Sequence, residues 1–142
     1  MTQEHKELLL KDLCARLPYR VKISVNNNIE SLQGINVLDN VVEYGSFLSS
    51  DIEEVKPYLF PLSSMTEEQA KEIQEIVGNP DNACIIRKTD GLELWLNYID
   101  TDPTICLDTI FEAQDYLNKN HFDYRNLINK NLAIDCTNLN IY

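Results

Sequence analysis

Positive charge is scarce in this sequence: 12 lysines and arginines stand against 23 aspartates and glutamates, a formal net charge of −11. A protein that grips a phosphate backbone needs clustered bases to displace counterions, so direct backbone binding to DNA or RNA is disfavoured. Glycine is equally sparse. The four glycines, Gly34, Gly45, Gly78 and Gly91, are isolated, and no lysine-serine pair follows any of them, which excludes a P-loop nucleotide site. The four cysteines, Cys14, Cys84, Cys106 and Cys136, are separated by 70, 22 and 30 residues, far from the two-to-four-residue spacing of zinc ligands. Their apolar neighbours (Leu13, Ile85, Ile105, Ile134) make four buried thiols the plain expectation. No metal and no cofactor are expected. No apolar stretch reaches membrane-spanning length, so the reading is a soluble, cytoplasmic chain that does not engage a membrane.

What is present fits one ordinary core. At 142 residues, with 44% hydrophobic and 25% charged residues, the chain matches a single globular domain over 1–142 and departs from the composition of disorder. The acids are unevenly spread. Residues 1–42 hold five acids and five bases, 43–75 eight acids and two bases, and 89–115 seven acids and no base. Most such carboxylates only keep a protein soluble, but an acidic face can also steer a basic partner or imitate nucleic acid.

Leucines and companions at 8, 9, 10, 13, 14 and 17 predict an amphipathic helix over 3–16 that ends before Pro18, with Asp12 and Arg16 on its polar side. The period then becomes two: Tyr19, Val21, Ile23 and Val25 alternate with Arg20, Lys22 and Ser24, and the Arg20/Lys22 side is a small positive spot that could contact an anion. The triplet Asn26-Asn27-Asn28 predicts a turn, Gly34 a β-bulge and Asp39-Asn40 a second turn, giving a three-stranded meander over 19–48. The segment from Asp51 to Met65, with Pro57 and Pro61 around Tyr58, Leu59 and Phe60, reads as an extended edge strand. Thr66 with Gln69, or alternatively Ser64 with Glu67, fits a capping box for a helix over about 66–77, stopped by Gly78 and Pro80.

Thr89-Asp90-Gly91 between two apolar runs predicts a hairpin, on which Trp95 faces away from Leu92, Leu94 and Leu96, to be covered by a helix or offered to a partner. Asp102-Pro103 caps a third helix running to about Asn118. Asp123 can cap a short turn over 124–129, and strands are expected over 132–135 and 139–142. The fold class is therefore α+β: a small antiparallel sheet, made of the N-terminal meander and the hairpin, packed against three helices.

Three blocks, LLLKDLCARLPYRVKISV, VKPYLFPLSSMTEEQ and YLNKNHFDYRNLINKNLAIDCTNLNIY, together about 60 residues, resemble a family of small uncharacterised proteins from gut anaerobic bacteria, their phages and other mobile elements. The HFDYR segment and its LAID continuation carry most of the likeness. Departures from that pattern are an insert over 82–101 and asparagines at 126 and 131, where glycine is usual. The resemblance implies a phage or mobile-element context and no mechanism.

In the HFDYR segment, His121 with Asp123 as orienting carboxylate and Arg125 as electrophile would suit a hydrolase, but the spacing equally suits an Asp123–Arg125 contact or a helix cap, and no activated nucleophile lies near in sequence. The aromatics Tyr58, Phe60, Trp95, Phe122 and Tyr124 could sandwich a small ligand, with Arg20 or Arg125 on its anionic group. The leading expectation is a non-enzymatic interaction protein of a phage or mobile element, binding a host protein through an acidic and aromatic surface, with counter-defence as its role. The alternative is a small-molecule or nucleotide-binding protein that sequesters an anionic ligand. The candidate binding residues are Arg20, Lys22, Tyr58, Phe60, Trp95, His121, Asp123, Tyr124 and Arg125.

Overall fold

The computed structural model describes residues 1–77 and 110–142 in full, and 83–88, 91–96 and 103–109 as backbone elements. Among the described residues the chain is α+β, with three α-helices and a seven-stranded mixed sheet. Helix α1 spans Gln3–Arg16 and starts at Thr2, whose hydroxyl accepts from the His5 amide at 3.2 Å. Its buried face is Leu9, Asp12, Leu13 and Arg16. The expected face is thus corrected: Asp12 and Arg16 point inward, and Cys14, about 140° around the helix from Leu9, is exposed. Cys136 is buried as expected, and the side chains of Cys84 and Cys106 lie outside the described residues.

A 3-10 turn over Leu17–Tyr19 follows, and Arg20 takes a left-handed corner at φ 53°, so strand β1 begins at Lys22 and covers Lys22–Val25 instead of starting at Tyr19. Asn26 and Asn27, at φ 51° and 65°, make the tight turn into β2 (Asn28–Asn36), a conformation that asparagine tolerates and that matches the twist of a hairpin. The register slips between Leu32 and Gly34, the expected bulge. The meander then has one strand more than expected: β3 (Val41–Tyr44) turns through Gly45, Ser46 and Phe47 into β4 (Leu48–Asp51).

Strand β5 (Val55–Pro61) pairs antiparallel with β1. It also pairs in parallel with β8 (Phe122–Asp123) and β9 (Ile134–Asp135), so it lies inside the sheet and not at an edge. Pro57 fits there because the parallel strands join from Tyr58 onward, and Pro61, in register with Asp123, is the last residue of the strand. The order is β4-β3-β2-β1-β5-β8, with β9 also on β5, leaving β4 as one edge. No strand forms over 139–142.

Helix α2 (Glu67–Val77) opens on the expected capping box, the Thr66 amide reaching Gln69 Oε1 at 3.0 Å and the Gln69 amide reaching Thr66 Oγ1 at 3.2 Å. Strands β6 (Ala83–Lys88) and β7 (Gly91–Leu96) form the expected hairpin as a separate two-stranded sheet. Helix α3 spans Pro103–Lys119. The Gly78 and Pro80 stop, the Thr89-Asp90 turn and the Asp102 cap lie outside the described residues.

Two apolar clusters result. The larger joins Leu9 and Leu13 of α1 to Val21, Ile23, Val42 and Leu59 of the sheet and to Leu127 and Leu132. The smaller joins Met65, Ile73 and Val77 to Ala113 and Phe122. Among the described residues α1 is the only α-helix that contributes to the first, and α2 and α3 supply the second, beside β8. No helix among the described residues is long and apolar enough to cross a membrane. Thr66→Ala, which removes one arm of the capping box, is expected to cost about 1 kcal/mol, read as a lowered thermal midpoint in circular dichroism.

Candidate functional site

The HFDYR segment follows α3 directly. The Asn120 amide donates to the Tyr116 carbonyl at 3.0 Å and the His121 amide to the Asn118 carbonyl at 3.1 Å, which closes the helix. His121 then turns the chain at φ 59°. Phe122 and Asp123 run as β8 beside Phe60 and Pro61. Asp123 next receives the amides of Leu127 at 2.9 Å and Ile128 at 2.8 Å, one on each carboxylate oxygen. This is the expected cap of the 124–129 turn. Asn126 and Asn131 turn the following corners at φ 61° and 58°, where asparagine substitutes for glycine with little strain.

The buried polar centre of the molecule lies under this segment. Arg16 has no exposed surface; its Nε donates to Asp12 Oδ2 at 2.7 Å, and its Nη2 donates to Asp12 Oδ1 at 3.2 Å and to the Phe122 carbonyl at 2.7 Å. Arg125 brings its Nε to 3.3 Å from Asp12 Oδ1, off the hydrogen-bonding direction, so this is an ionic contact only. Its Nη2 donates to the Tyr124 hydroxyl at 3.0 Å. The guanidinium carbons of Arg16 and Arg125 lie 5.5 and 5.0 Å from the Tyr124 ring centroid, a double cation-π arrangement. The Tyr124 hydroxyl donates to Asn118 Oδ1 and accepts from Gln114 Nε2, both at 3.0 Å, which ties the segment back to α3.

His121 is 9% exposed, and its ring stacks on Tyr142 at 3.9 Å with an interplanar angle of 14°. Burial, assisted by the nearby Arg16 charge, pulls its pKa from 6.5 down to about 4. Its Nδ1 and the Nη1 of Arg16 are buried without a hydrogen-bond partner among the described residues. Burial likewise pushes the Cys136 thiol up to about 11, with Asp135 adding to the effect, so at neutral pH it is a thiol and not a nucleophilic thiolate.

The sequence candidates are therefore only partly brought together. His121, Asp123, Tyr124, Arg125, Tyr58 and Phe60 converge around β5 and β8, with the Phe60 ring 6.2 Å from that of Phe122. The His121 and Asp123 dyad does not form, because both Asp123 oxygens serve backbone amides, and Arg125 turns to Asp12 and not to Asp123. Lys22 is tied to Ser31 Oγ at 2.7 Å, and Arg20 is exposed on the corner before β1. The side chain of Trp95 lies outside the described residues.

Asp12, Arg16, Gln114, Asn118 and Tyr142 are participants that sequence reasoning passes over. The signal for the first two was the i,i+4 acid-base pair flanking Leu9 and Leu13 on one helical face. An open cleft of about 530 Å³ lies between residues of 61–63 and 123–129, at the carboxyl ends of the parallel strands. Among the described residues no cluster of three or more His, Cys, Asp or Glu side chains could hold a metal ion. Comparison with protein-family models, curated proteins and solved structures yields no match.

Removing Asp12 strands a buried guanidinium, so Asp12→Ala is expected to cost about 3–5 kcal/mol in urea denaturation, while Asp12→Leu combined with Arg16→Met recovers much of the loss. The unfolded chain protonates His121 before the folded one does. Stability should therefore decline as pH falls from about 6.5 to about 4, by on the order of 2 kcal/mol after solvent screening. His121→Asn, which tolerates the left-handed backbone, should flatten that part of the stability-pH curve.

Proposed function

We propose that the protein is a non-enzymatic interaction module that binds a basic, extended segment of a partner protein along the β4 edge, with Phe47 as its anchor. The observation that carries this reading is Phe47 itself. Its ring is fully exposed, at 105% relative accessibility, on the tip of the β3–β4 turn, and its backbone sits at φ 68°. That left-handed position is one that glycine fills cheaply and a bulky residue fills at a cost. Neither burial nor turn geometry calls for phenylalanine there, whereas an anchor for a partner does.

The surroundings suit such a partner. Leu48 is 54% exposed beside Phe47, and β4 ends the sheet, so among the described residues no strand pairs with its outer side and an added strand could do so. An open cleft of about 620 Å³ runs beneath the turn, lined among others by Gln33, Glu43, Tyr44 and Phe47. Glu43 is exposed on its lining, Asp51, Glu53 and Glu54 are exposed at and beyond the far end of β4, and residues 41–55 contain no lysine or arginine. Glu53 is engaged by Lys6 at 2.6 Å, and that contact raises the Lys6 pKa. Glu43 has no ion-pair or hydrogen-bond partner among the described residues, and it provides the charge that a lysine or arginine of the partner would meet. The partner's role as a host protein, and counter-defence as the outcome, rest on the resemblance to proteins of mobile elements. The buried centre supports a non-catalytic reading, since its carboxylates and guanidinium groups are committed to one another and to the backbone.

Phe47→Gly should separate stability from function, raising stability by roughly 0.5–1 kcal/mol through relief of the left-handed backbone while abolishing capture of the partner. The assay is affinity capture from host lysate at low and moderate salt with both proteins, followed by fluorescence polarisation with an extended lysine-rich peptide. Equal capture by the two proteins, or capture by neither, overturns the reading.

A further inference from the structure

The antiparallel ladder between β1 and β5 runs through Val25↔Val55, Ser24↔Lys56 and Ile23↔Pro57 and then stops. The next partners in register would be Lys22 and Tyr58. Instead of bonding each other, both are served by the hydroxyl of Tyr142: the Lys22 amide donates to it at 3.0 Å, and it donates to the Tyr58 carbonyl at 2.8 Å. The Tyr142 ring completes the slot, stacked on His121 at 3.9 Å and tilted against Phe60 at 5.9 Å.

With the phenol withdrawn, the slot would present a flat imidazole, the Phe60 ring, and at its far end one backbone donor beside one backbone acceptor. A planar ring carrying an acceptor nitrogen next to an exocyclic amine satisfies that pair of backbone groups on a single edge, where a phenol must use one atom for both. His121 is held for stacking by its left-handed backbone, at φ 59°. Two buried polar atoms, His121 Nδ1 and Nη1 of Arg16, whose charge is felt by both His121 and Tyr142, have no partner among the described residues.

The occupant is lightly held. The Cys136 amide still donates to the Leu59 carbonyl at 3.0 Å; beyond it the chain has no helix or strand, residues 137–140 are exposed, and the backbone bonds among the described residues are local, from Leu139 to Cys136 and from Ile141 to Leu139. Release of Tyr142 would therefore break no sheet pairing.

We propose that this slot is a binding site for an aminated planar heteroaromatic ring of the adenine or aminopyrimidine type, and that Tyr142 is its built-in competitor. The site is independent of the β4 edge. An occupied slot lowers apparent affinity by the fraction of molecules in which it is open. Tyr142→Ala is thus expected to bind free adenine at least tenfold more tightly than the unaltered protein, read by saturable thermal shift, and His121→Asn in the Tyr142→Ala background is expected to lose that binding. p-Cresol is the control ligand. A folded Tyr142→Ala protein that binds p-cresol but not adenine, or neither, overturns the proposal and leaves a tyrosine socket. Should Tyr142→Ala fail to fold, the Lys22 amide resonance of the unaltered protein is followed against millimolar adenine and 2-aminopyrimidine. Saturable movement supports the site, and a fixed resonance overturns it.

Discussion

Arg16 is the residue on which the rest of the arrangement depends. A guanidinium with no exposed surface is tolerable only if its charge is matched and its donors are used, and Asp12, one helical turn back, meets most of that need. Of what remains, Nη2 is directed outward from the helix to the Phe122 carbonyl, 106 residues further along the chain, and Nη1 has no partner among the described residues. That bond joins α1 to β8, and β8 is where the segment after α3 enters the sheet. Asp12 then receives a second cation in Arg125, and both arginines flank Tyr124. The chemically varied HFDYR segment is accordingly a fastening between the two ends of the chain, and its charged groups are spent on that task.

The consequence for function is a division between centre and rim. Around β5 the parallel strands, the Asp123 cap and the left-handed corners at His121, Asn126 and Asn131 hold a tightly specified geometry. At the other side of the sheet, β4 ends in open backbone, with a strained and exposed aromatic at its tip. The strain at Phe47 is not required by packing and is the ground of the proposed partner site, whereas strain at the centre is matched by contacts. The Tyr142 slot combines the two: it sits against the fastened centre, yet its occupant comes from a segment with no helix or strand.

Local signals were readable in advance. Thr66 and Gln69 lie three residues apart and need nothing beyond their own turn to form a box. The asparagine turn at 26 and 27 and the slip at Gly34 are likewise decided by backbone preferences within a few residues. The third meander strand divides at 45–47, where the isolated Gly45, at φ 56°, is a left-handed mark in the sequence and Phe47, at φ 68°, carries none. Two prolines argue for an edge, and the inner position of β5 is reconciled with them only because β8 and β9 join beyond Pro57 and because Pro61 is the strand's last residue.

Helix periods, strand alternation, caps and turns were determined by the sequence itself, since each depends on interactions among residues close along the chain. So was the scarcity of basic clusters. Which face of α1 is buried was a matter for the tertiary structure: Asp12 and Arg16 look like solvent-facing residues until the Phe122 carbonyl and Arg125 arrive to satisfy them. The same holds for His121, whose fate turned on a ring 21 positions away in the chain, at Tyr142. A polar side chain carries no mark of its eventual partner, and the cost of burying it is met only by groups that folding brings from elsewhere.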